Sequence, residues 1–518
     1  MPKPLAKSCH APTIDATECA NVRAEWTLAD LHFQHPASVM SPYWLNNSCT
    51  PFTPESSECT LGNVVVYTIN VTSAEDVAAG VKFAQDKNIR LVIKNTGHDF
   101  LGRSTGKGAL GLWTHNLKDI SFFDYNSTTY TGRAMRMGAG VQAFEAYQAA
   151  DMNGVRIIGA FCPTVGLSGG YTQGAGHGPL NGAYGLAADN TLEWEVVTTG
   201  GEHLIVTPEQ HSDLYWALSG GGGGTYAVVL SLTTKAHPDS PVAGAAMQFN
   251  SSDVAPDTFW NAVHTFHEGL EAIIDNPGLQ AQYALSNASF DLNLVTWPDH
   301  TAEEVETVLK PFRDYLEAND IPYNDEYTYK PSFYAHFSHF TPGLPYGAWQ
   351  ISILLGGRLV PLSTVENNNA GLTAALRNIT QDGRWSLNGM ASNLTHARVG
   401  NTPSSNAVLP AWRDSLIDFN IIGPWDPSAP VAEGVASENE LTYQIEPQLK
   451  SITPESGTYI NEGDFNNPTW KEDYFGANYD ALLRVKKRYD PLDLLYAIAS
   501  VGSDVWTVES DGRLCRAE

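Results

Sequence analysis

The chain has 518 residues, 42% of them hydrophobic, which suffices for one large two-lobed unit or for two to three domains. Its formal net charge of -27, from 30 Lys and Arg against 57 Asp and Glu, excludes nucleic acid and anionic membrane surfaces as partners, because the surface field repels both. No run approaches about eighteen apolar residues and the start MPKPLAKSCH has no hydrophobic signal region, so neither a membrane span nor a signal peptide is expected within these residues.

Four cysteines, Cys9, Cys19, Cys49 and Cys59, cluster in the first sixty residues, and Cys515 lies at the far end. This pattern predicts terminal stapling in an oxidising compartment, with Cys49 paired to Cys59 and the remaining pairing open. Seven N-x-S/T sequons, at Asn46, Asn70, Asn126, Asn250, Asn287, Asn378 and Asn393, agree with a mature secreted glycoprotein. The run VVVYTINV from Val64 predicts a strand; Ser73 and Asp76 then cap a helix carrying Val77, Val81 and Ala84 inward, and Ile89 to Ile93 return as a second strand. This βαβ unit delivers the chain into the glycine-rich NTGHDFLGRSTGKG. Further along, LEWEVVTTGGEHLIV reads as a hairpin turning at Gly200-Gly201, and AVVLSLTTKAHP closes the first lobe near Val242, after the run Gly220 to Gly224. From Gly244 onward, long helices alternate with aromatic, β-branched strands such as YALSNASFDLNLVTW and WQISILLGGRLVPL, which predicts an antiparallel sheet covered by helices on one face and an α+β fold class. A last helix begins near Asn478, offers Leu482, Leu483 and Val485 for burial, and ends at Asp490-Pro491.

The glycines invite a phosphate-loop reading, which fails on spacing. GRSTGKG is one residue short of a Walker loop and has Gly108 where a hydroxyl should bind magnesium, and Gly174 to Gly178 is G-x-G-x-G rather than the dinucleotide fingerprint. Neither H-E-x-x-H nor G-x-S-x-G occurs, which leaves no zinc protease or serine hydrolase signature. What remains is a pair of glycine-rich loops, one holding His98 and the other opened by Cys162 in GAFCPTVGLSGGYTQGAGHG. Alone, His98 reads as a turn histidine and Cys162 as a small buried thiol. Together they are two nucleophiles in loops whose backbone can approach a flat ligand, so an electrophilic aromatic cofactor could be tethered at two points.

Four ordered segments, NTGHDFLGRS, CPTVGLSGGYTQGAGHGPLNGAYGLAADNTLEWEVV, LYWALSGGGGGTYAVV and YFGANYDALLRVKKRYDP, resemble the berberine-bridge-enzyme-like branch of the vanillyl-alcohol-oxidase flavoproteins in its fungal secreted form. The resemblance runs over 63–242 and 459–496. It implies a PCMH-type FAD-binding lobe of two subdomains, built from residues 1–243 and a berberine-bridge-like segment 459–518 that returns to it, with a substrate lobe over 244–458. It further implies bicovalent FAD, through an 8α-histidyl bond at His98 and a 6-S-cysteinyl bond at Cys162. Asn95, Thr96, Gly97, Gly102, Arg103 and Ser104 would meet the cofactor, with backbone amides from Gly97 to Ser104 at the pyrophosphate. Gly166, Gly170, Gly174, Gly178 and Leu180 would line its channel, Tyr171 and His177 would lie close, Leu186 to Asn190 and Val228 would pack near the adenosine end or the ring, and Tyr474 and Asn478 would approach from the C-terminal side. Val165 matches a position where a small side chain admits oxygen, which favours an oxidase that yields hydrogen peroxide. Tyr459, oriented by Asn461, would take the substrate proton, whereas Glu462 stands where alcohol and carbohydrate oxidases of the family carry an aromatic residue. The middle lobe offers Trp349, Trp412 and Arg358 without assigning them to substrate. The implied protein is a monomeric oxidase of a small alcohol, carbohydrate or secondary metabolite, without metal. Oxidative ring closure on the same flavin and a flavin carrier without turnover are the competing readings.

Overall fold

A computed structural model of the chain describes residues 3–41, 44, 48–347 and 353–517; Trp349 and the sequon at Asn46 lie outside the described residues. Parallel strands Tyr67–Asn70 (β1), Leu91–Lys94 (β2) and Leu110–Trp113 (β3) form the first sheet, in the order β1-β3-β2. Helix Ala74–Lys87 (α1) joins β1 to β2, starts where the Ser73 hydroxyl accepts the Asp76 N–H at 3.4 Å, and buries Val77, Val81 and Ala84. The Asp76 carboxylate turns back to the Thr72 N–H rather than to Ser73, so the cap is not the reciprocal box the sequence suggests. The expected βαβ unit forms, but its strands are not neighbours. After the glycine loop the chain returns as β3 and inserts between them, satisfying the facing edges of both.

The second sheet is antiparallel, built from Ile120–Asn126 (β4), Thr131–Gly138 (β5), Thr191–Val197 (β6), His203–Val206 (β7) and Val228–Lys235 (β8) in the order β4-β5-β8-β6-β7. β6 and β7 are the hairpin expected at Gly200-Gly201, where Gly201 adopts φ +80° and donates its N–H to the Thr198 carbonyl. Between β5 and β6 lies the loop that carries Cys162.

The third sheet has seven antiparallel strands: Val242–Asn250 (β9), Gln280–Leu285 (β10), Ser289–Pro298 (β11), Tyr323–Lys330 (β12), Ile353–Pro361 (β13), Ser386–Ala391 (β14) and Ser415–Pro424 (β15), in the order β12-β9-β11-β10-β14-β15-β13. Helices Pro256–Ile274 (α2), Ala302–Ala318 (α3) and Leu362–Thr380 (α4) bury Phe259, Phe266, Val305, Leu309, Leu372 and Leu376 in one core with Phe249, Tyr283, Phe290, Leu387 and Phe419 of the sheet. Strand side chains alternate between faces, so Gln282, Asn388, Met390, Asn420 and Ile422 point away from that core, toward the first lobe.

The final helix, Tyr479–Tyr489 (α5), buries Leu482 and Val485 in the same core as Tyr147, Trp194 and Tyr226, and so belongs to the first lobe; Leu483 is only partly buried. Cys9–Cys19 and Cys49–Cys59 form disulfides, whereas Cys162 and Cys515 are in none. The staples therefore close two local loops and do not join the termini. Among the described sequons, Asn70, Asn126, Asn287 and Asn378 are exposed and Asn250 and Asn393 half-buried. No helix among the described residues is long and apolar enough to cross a membrane.

Candidate active site

A cavity of about 400 Å³ lies between the two glycine loops of the first lobe and the face of the seven-stranded sheet turned away from its helix-covered core. His98 and Cys162 meet there through a third residue: His98 Nε2 lies 2.7 Å from the Thr164 hydroxyl, and Cys162 Sγ 3.5 Å from the same oxygen. The sequence reading did not single out Thr164, although its place two residues after Cys162 was the available signal. Burial, helped by the nearby Lys94 ammonium, pulls the His98 pKa down to about 3 and keeps its imidazole neutral. Burial also pushes the Cys162 thiol above its ordinary value, so it is held as a thiol.

Asn95, Thr96, Gly97, His98, Arg103, Ser104, Cys162, Val165, Gly166, Gly170, Tyr171, His177, Tyr459 and Asn461 all line this cavity, together with Glu462. Gly97 adopts φ +90°, a conformation strained for any other residue. Arg103 is held by the Asp99 carboxylate at 2.5 Å and donates to Asn461 Oδ1 at 3.1 Å. Asn461 in turn donates to the Tyr459 hydroxyl at 2.7 Å and to the Gly170 carbonyl at 2.9 Å, which fixes the Tyr-x-Asn element against the Cys162 loop.

Seven residues expected to touch the cofactor do not line this cavity. Gly102 and Gly174 are packing positions, where an added Cβ would meet the Trp44 ring at 2.7 Å and the Asn461 amide at 2.5 Å; at Gly178 it would strike the Gly159 carbonyl. Leu180 is a core residue, and Val228 points toward Val77 and Val81 while its neighbours Ala227 and Val229 line the cavity, as strand alternation requires. Tyr474 donates to the Asp464 carbonyl, and Asn478 donates to the carbonyls of Ala407 and Val408.

The proton-accepting role expected of Tyr459 calls for a phenol whose pKa is lowered, and its surroundings act the other way. It required cationic neighbours to lower the phenol's pKa; burial instead, with the Glu462 carboxylate next, pushes it well above 10. Burial therefore favours the neutral form of the Tyr459 phenol. Glu462, set aside in the sequence reading as a departure, faces the cavity and accepts from Asn420 Nδ2 at 2.7 Å. Its other partner is His177 Nε2, at 2.9 Å. Arg358 is committed to a buried ion pair with Asp473 at 2.7 Å, and Trp412 packs edge-on against Tyr459.

The FAD binding domain family matches residues 66–207, and the berberine and berberine like family residues 458–502. The VAO-type flavoprotein oxidase VAO615 of Thermothelomyces thermophilus is 43% identical over 522 residues, spanning 99% of this chain and 90% of its own length. The chain belongs to the berberine-bridge-like, VAO-type FAD-linked oxidoreductases. The bifunctional decalin synthase calF of Penicillium decumbens is likewise 43% identical, over 99% of this chain and 90% of its own. The crystal structure of the VAO-type flavoprotein MtVAO615 from Myceliophthora thermophila C1 superimposes with a TM-score of 0.95 at 42% identity, over 99% of this chain and 94% of that one.

The cavity of this VAO-type oxidoreductase fits FAD on its own chemistry. No atom lies within 4 Å of where a Cβ would stand on Gly170 or Gly224, so that stretch of wall is bare backbone open to a flat ring. Asn95 Oδ1, Arg103 Nη1 and Gln173 Oε1, all from wall residues, are buried polar atoms without a protein partner, two acceptors and a donor that a polar cofactor would satisfy.

Proposed function

We propose that the protein is a secreted oxidase whose FAD is held through both His98 and Cys162, and that it oxidises a hydroxyl-bearing small organic molecule with dioxygen as electron acceptor. The observation that carries this reading is the convergence of His98 and Cys162 on the one Thr164 hydroxyl. With Nε2 directed at Thr164, Nδ1 is the ring nitrogen left for a bond to the cofactor, and neutrality of the imidazole keeps it nucleophilic. When bound, FAD supplies a two-electron acceptor that dioxygen can re-oxidise. The chain's own residues do the rest. Thr164 sets the spacing of the two tethers, compact Val165 leaves the wall beside Cys162 open, and Arg103 and Asn461 hold the Tyr459 hydroxyl in place.

The opposite wall supplies the substrate surface. Asn388 and Asn420 are directly paired across β14 and β15, and Gln282 lies opposite Met390 on β10, which puts three amides among the apolar side chains of Ile353, Leu355, Met390 and Ile422. Amides at this spacing suit hydroxyl or carbonyl groups on a largely apolar molecule. The two disulfides and the exposed sequons support secretion.

The test is peroxide release and oxygen consumption by the purified protein against primary aliphatic alcohols, benzylic alcohols, reducing sugars and hydroxylated polyketides. Stoichiometric hydrogen peroxide with an aldehyde or ketone product is expected. Turnover of none of them, by protein that carries FAD, would count against the oxidase. A second reading, oxidative ring closure, is favoured by the identity to a protein named a decalin synthase, and product analysis separates the two.

A further inference from the structure

In the cavity wall and just behind it lies a group of side chains that the proposed tethering does not use. His177 Nε2 is 2.9 Å from Glu462 Oε2 and 3.9 Å from Asp418 Oδ2. The side chains of His177 and Asp418 are 8% and 2% exposed, while that of Glu462 is 24% exposed and borders the cavity. Rings close around the imidazole: Tyr459 stands edge-on at 5.0 Å, Phe161 at 5.7 Å and Trp412 at 6.2 Å. On the far side of His177 a second, much smaller cavity of about 10 Å³ is lined by His177, Asp418, Gln280 and Ser392. His177 Nδ1, Asp418 Oδ2 and Gln280 Oε1 are all buried without a protein partner. A space near the size of one water, ringed by three unsatisfied polar atoms, is where a buried water is expected.

We infer that His177, Glu462 and Asp418 act as one proton-accepting unit, in which Glu462 is the catalytic residue that takes the proton of a substrate hydroxyl and His177 and Asp418 are positioning residues behind it. The inference rests on the oxidase reading. It follows from counting charges: two carboxylates flank one imidazole in a water-poor site, and a single imidazolium balances only one of them. The second acid must keep a proton, and the unit as a whole has room for more. Burial pushes Asp418 well above the usual carboxylate range, and the two acids hold His177 above its ordinary value although burial acts against it. The titratable groups facing the unit are Tyr459, Tyr171 and Cys162, and burial favours the neutral form of each. Both donors to Glu462, from His177 and Asn420, arrive at Oε2, so Oε1 carries neither bond.

The step balances. The substrate O–H bond would break as its proton forms an O–H bond on Glu462, the electron pair of the neighbouring C–H bond would leave as hydride to the two-electron acceptor that bound FAD would supply, and the carbon–oxygen single bond would become double. Tyr459, whose oxygen accepts from Asn461 and whose phenol burial favours in its neutral form, can donate to the same substrate oxygen.

Two readouts test the unit in the holoenzyme. With whichever alcohol of the panel releases peroxide fastest, Glu462→Gln should slow anaerobic flavin reduction at least about 10²-fold and remove the acid limb of its pH profile, and Glu462→Asp should recover part of the rate. Infrared difference spectra between acid and alkaline buffer, which need no substrate, should contain a deuterium-sensitive carboxylic acid band that Asp418→Asn removes and Glu462→Gln shifts. Flavin reduction at the parental rate in Glu462→Gln across the pH range would overturn the inference, as would a spectrum without that band. If the band behaves as expected but no alcohol reduces the flavin, the oxidase reading and the acceptor role fall together, while the shared proton stands. Stoichiometric binding of added zinc by the parent, lost in Asp418→Asn, would overturn the inference in favour of a metal centre.

Discussion

Val165 is the single side chain on which the proposed reaction with dioxygen turns. Val165 is half-buried beside Cys162 and lines the cavity, so a longer aliphatic group there would fill the space next to that thiol. Val165→Leu is expected to slow re-oxidation of the reduced flavin by dioxygen by about tenfold or more while leaving anaerobic reduction nearly intact, as stopped-flow measurement of the two half-reactions would show. Tenfold corresponds to about 1.4 kcal/mol of barrier, which a single added methylene in a packed wall can supply. Unchanged re-oxidation would mean that oxygen reaches the ring from elsewhere. At this scale the sequence was partly legible. His98 and Cys162 stood out because nucleophiles inside glycine-rich loops form a local pattern. The grouping of His177, Asp418 and Glu462 did not, because these residues are 241 and 44 positions apart in the chain and meet only when β15 and the segment after Tyr459 pack on the Cys162 loop.

Among the elements, α5 makes the clearest argument. Lys486 is 1% exposed and donates to the Asp490 carboxylate at 2.5 Å and to the carbonyls of Thr225 and Leu495, so one ammonium ties the last helix to the turn before β8 and to the chain that follows. Asp490 also accepts the N–H groups of Leu494 and Leu495, which ends the helix and turns the chain. Lys486→Met keeps the apolar stem but strands the Asp490 charge, and should cost about 3–5 kcal/mol, read as a fall in chemical-denaturation stability. A loss below about 1 kcal/mol would show that the carboxylate finds water or a proton instead. The start and burial pattern of this helix were legible from its 3.6-residue period and the Asp490-Pro491 stop. Insertion of β3 between β1 and β2 was not, since strand order depends on a pairing that no local periodicity encodes.

At the scale of the whole molecule, the two lobes meet through buried polar links as well as through the cavity. Asp189, in the turn before β6, accepts from Arg413, Asn401 and Asn406, all contributed by the chain around β14 and β15, and its pair with Arg413 has side chains 1% and 6% exposed. Asp189→Asn should therefore lower the thermal midpoint through loss of about 3–5 kcal/mol, with the lobes loosening together rather than one unfolding alone. Two separated calorimetric transitions would contradict that. The α+β class and the helix-covered antiparallel sheet were legible in the alternation of long helices with β-branched strands. The cavity wall was less so, because Asn388 and Asn420 become neighbours only through the register of β14 on β15.

The central claim is that one flavin bridges the two lobe-facing loops through His98 and Cys162. Mass spectrometry of a tryptic digest of the acid-denatured protein tests it most directly: a single species should contain one FAD joined to both the His98 and the Cys162 peptides, and Cys162→Ala should leave a flavin on the His98 peptide alone. Release of free FAD into the acid supernatant, with both peptides at their unmodified masses, would contradict the account.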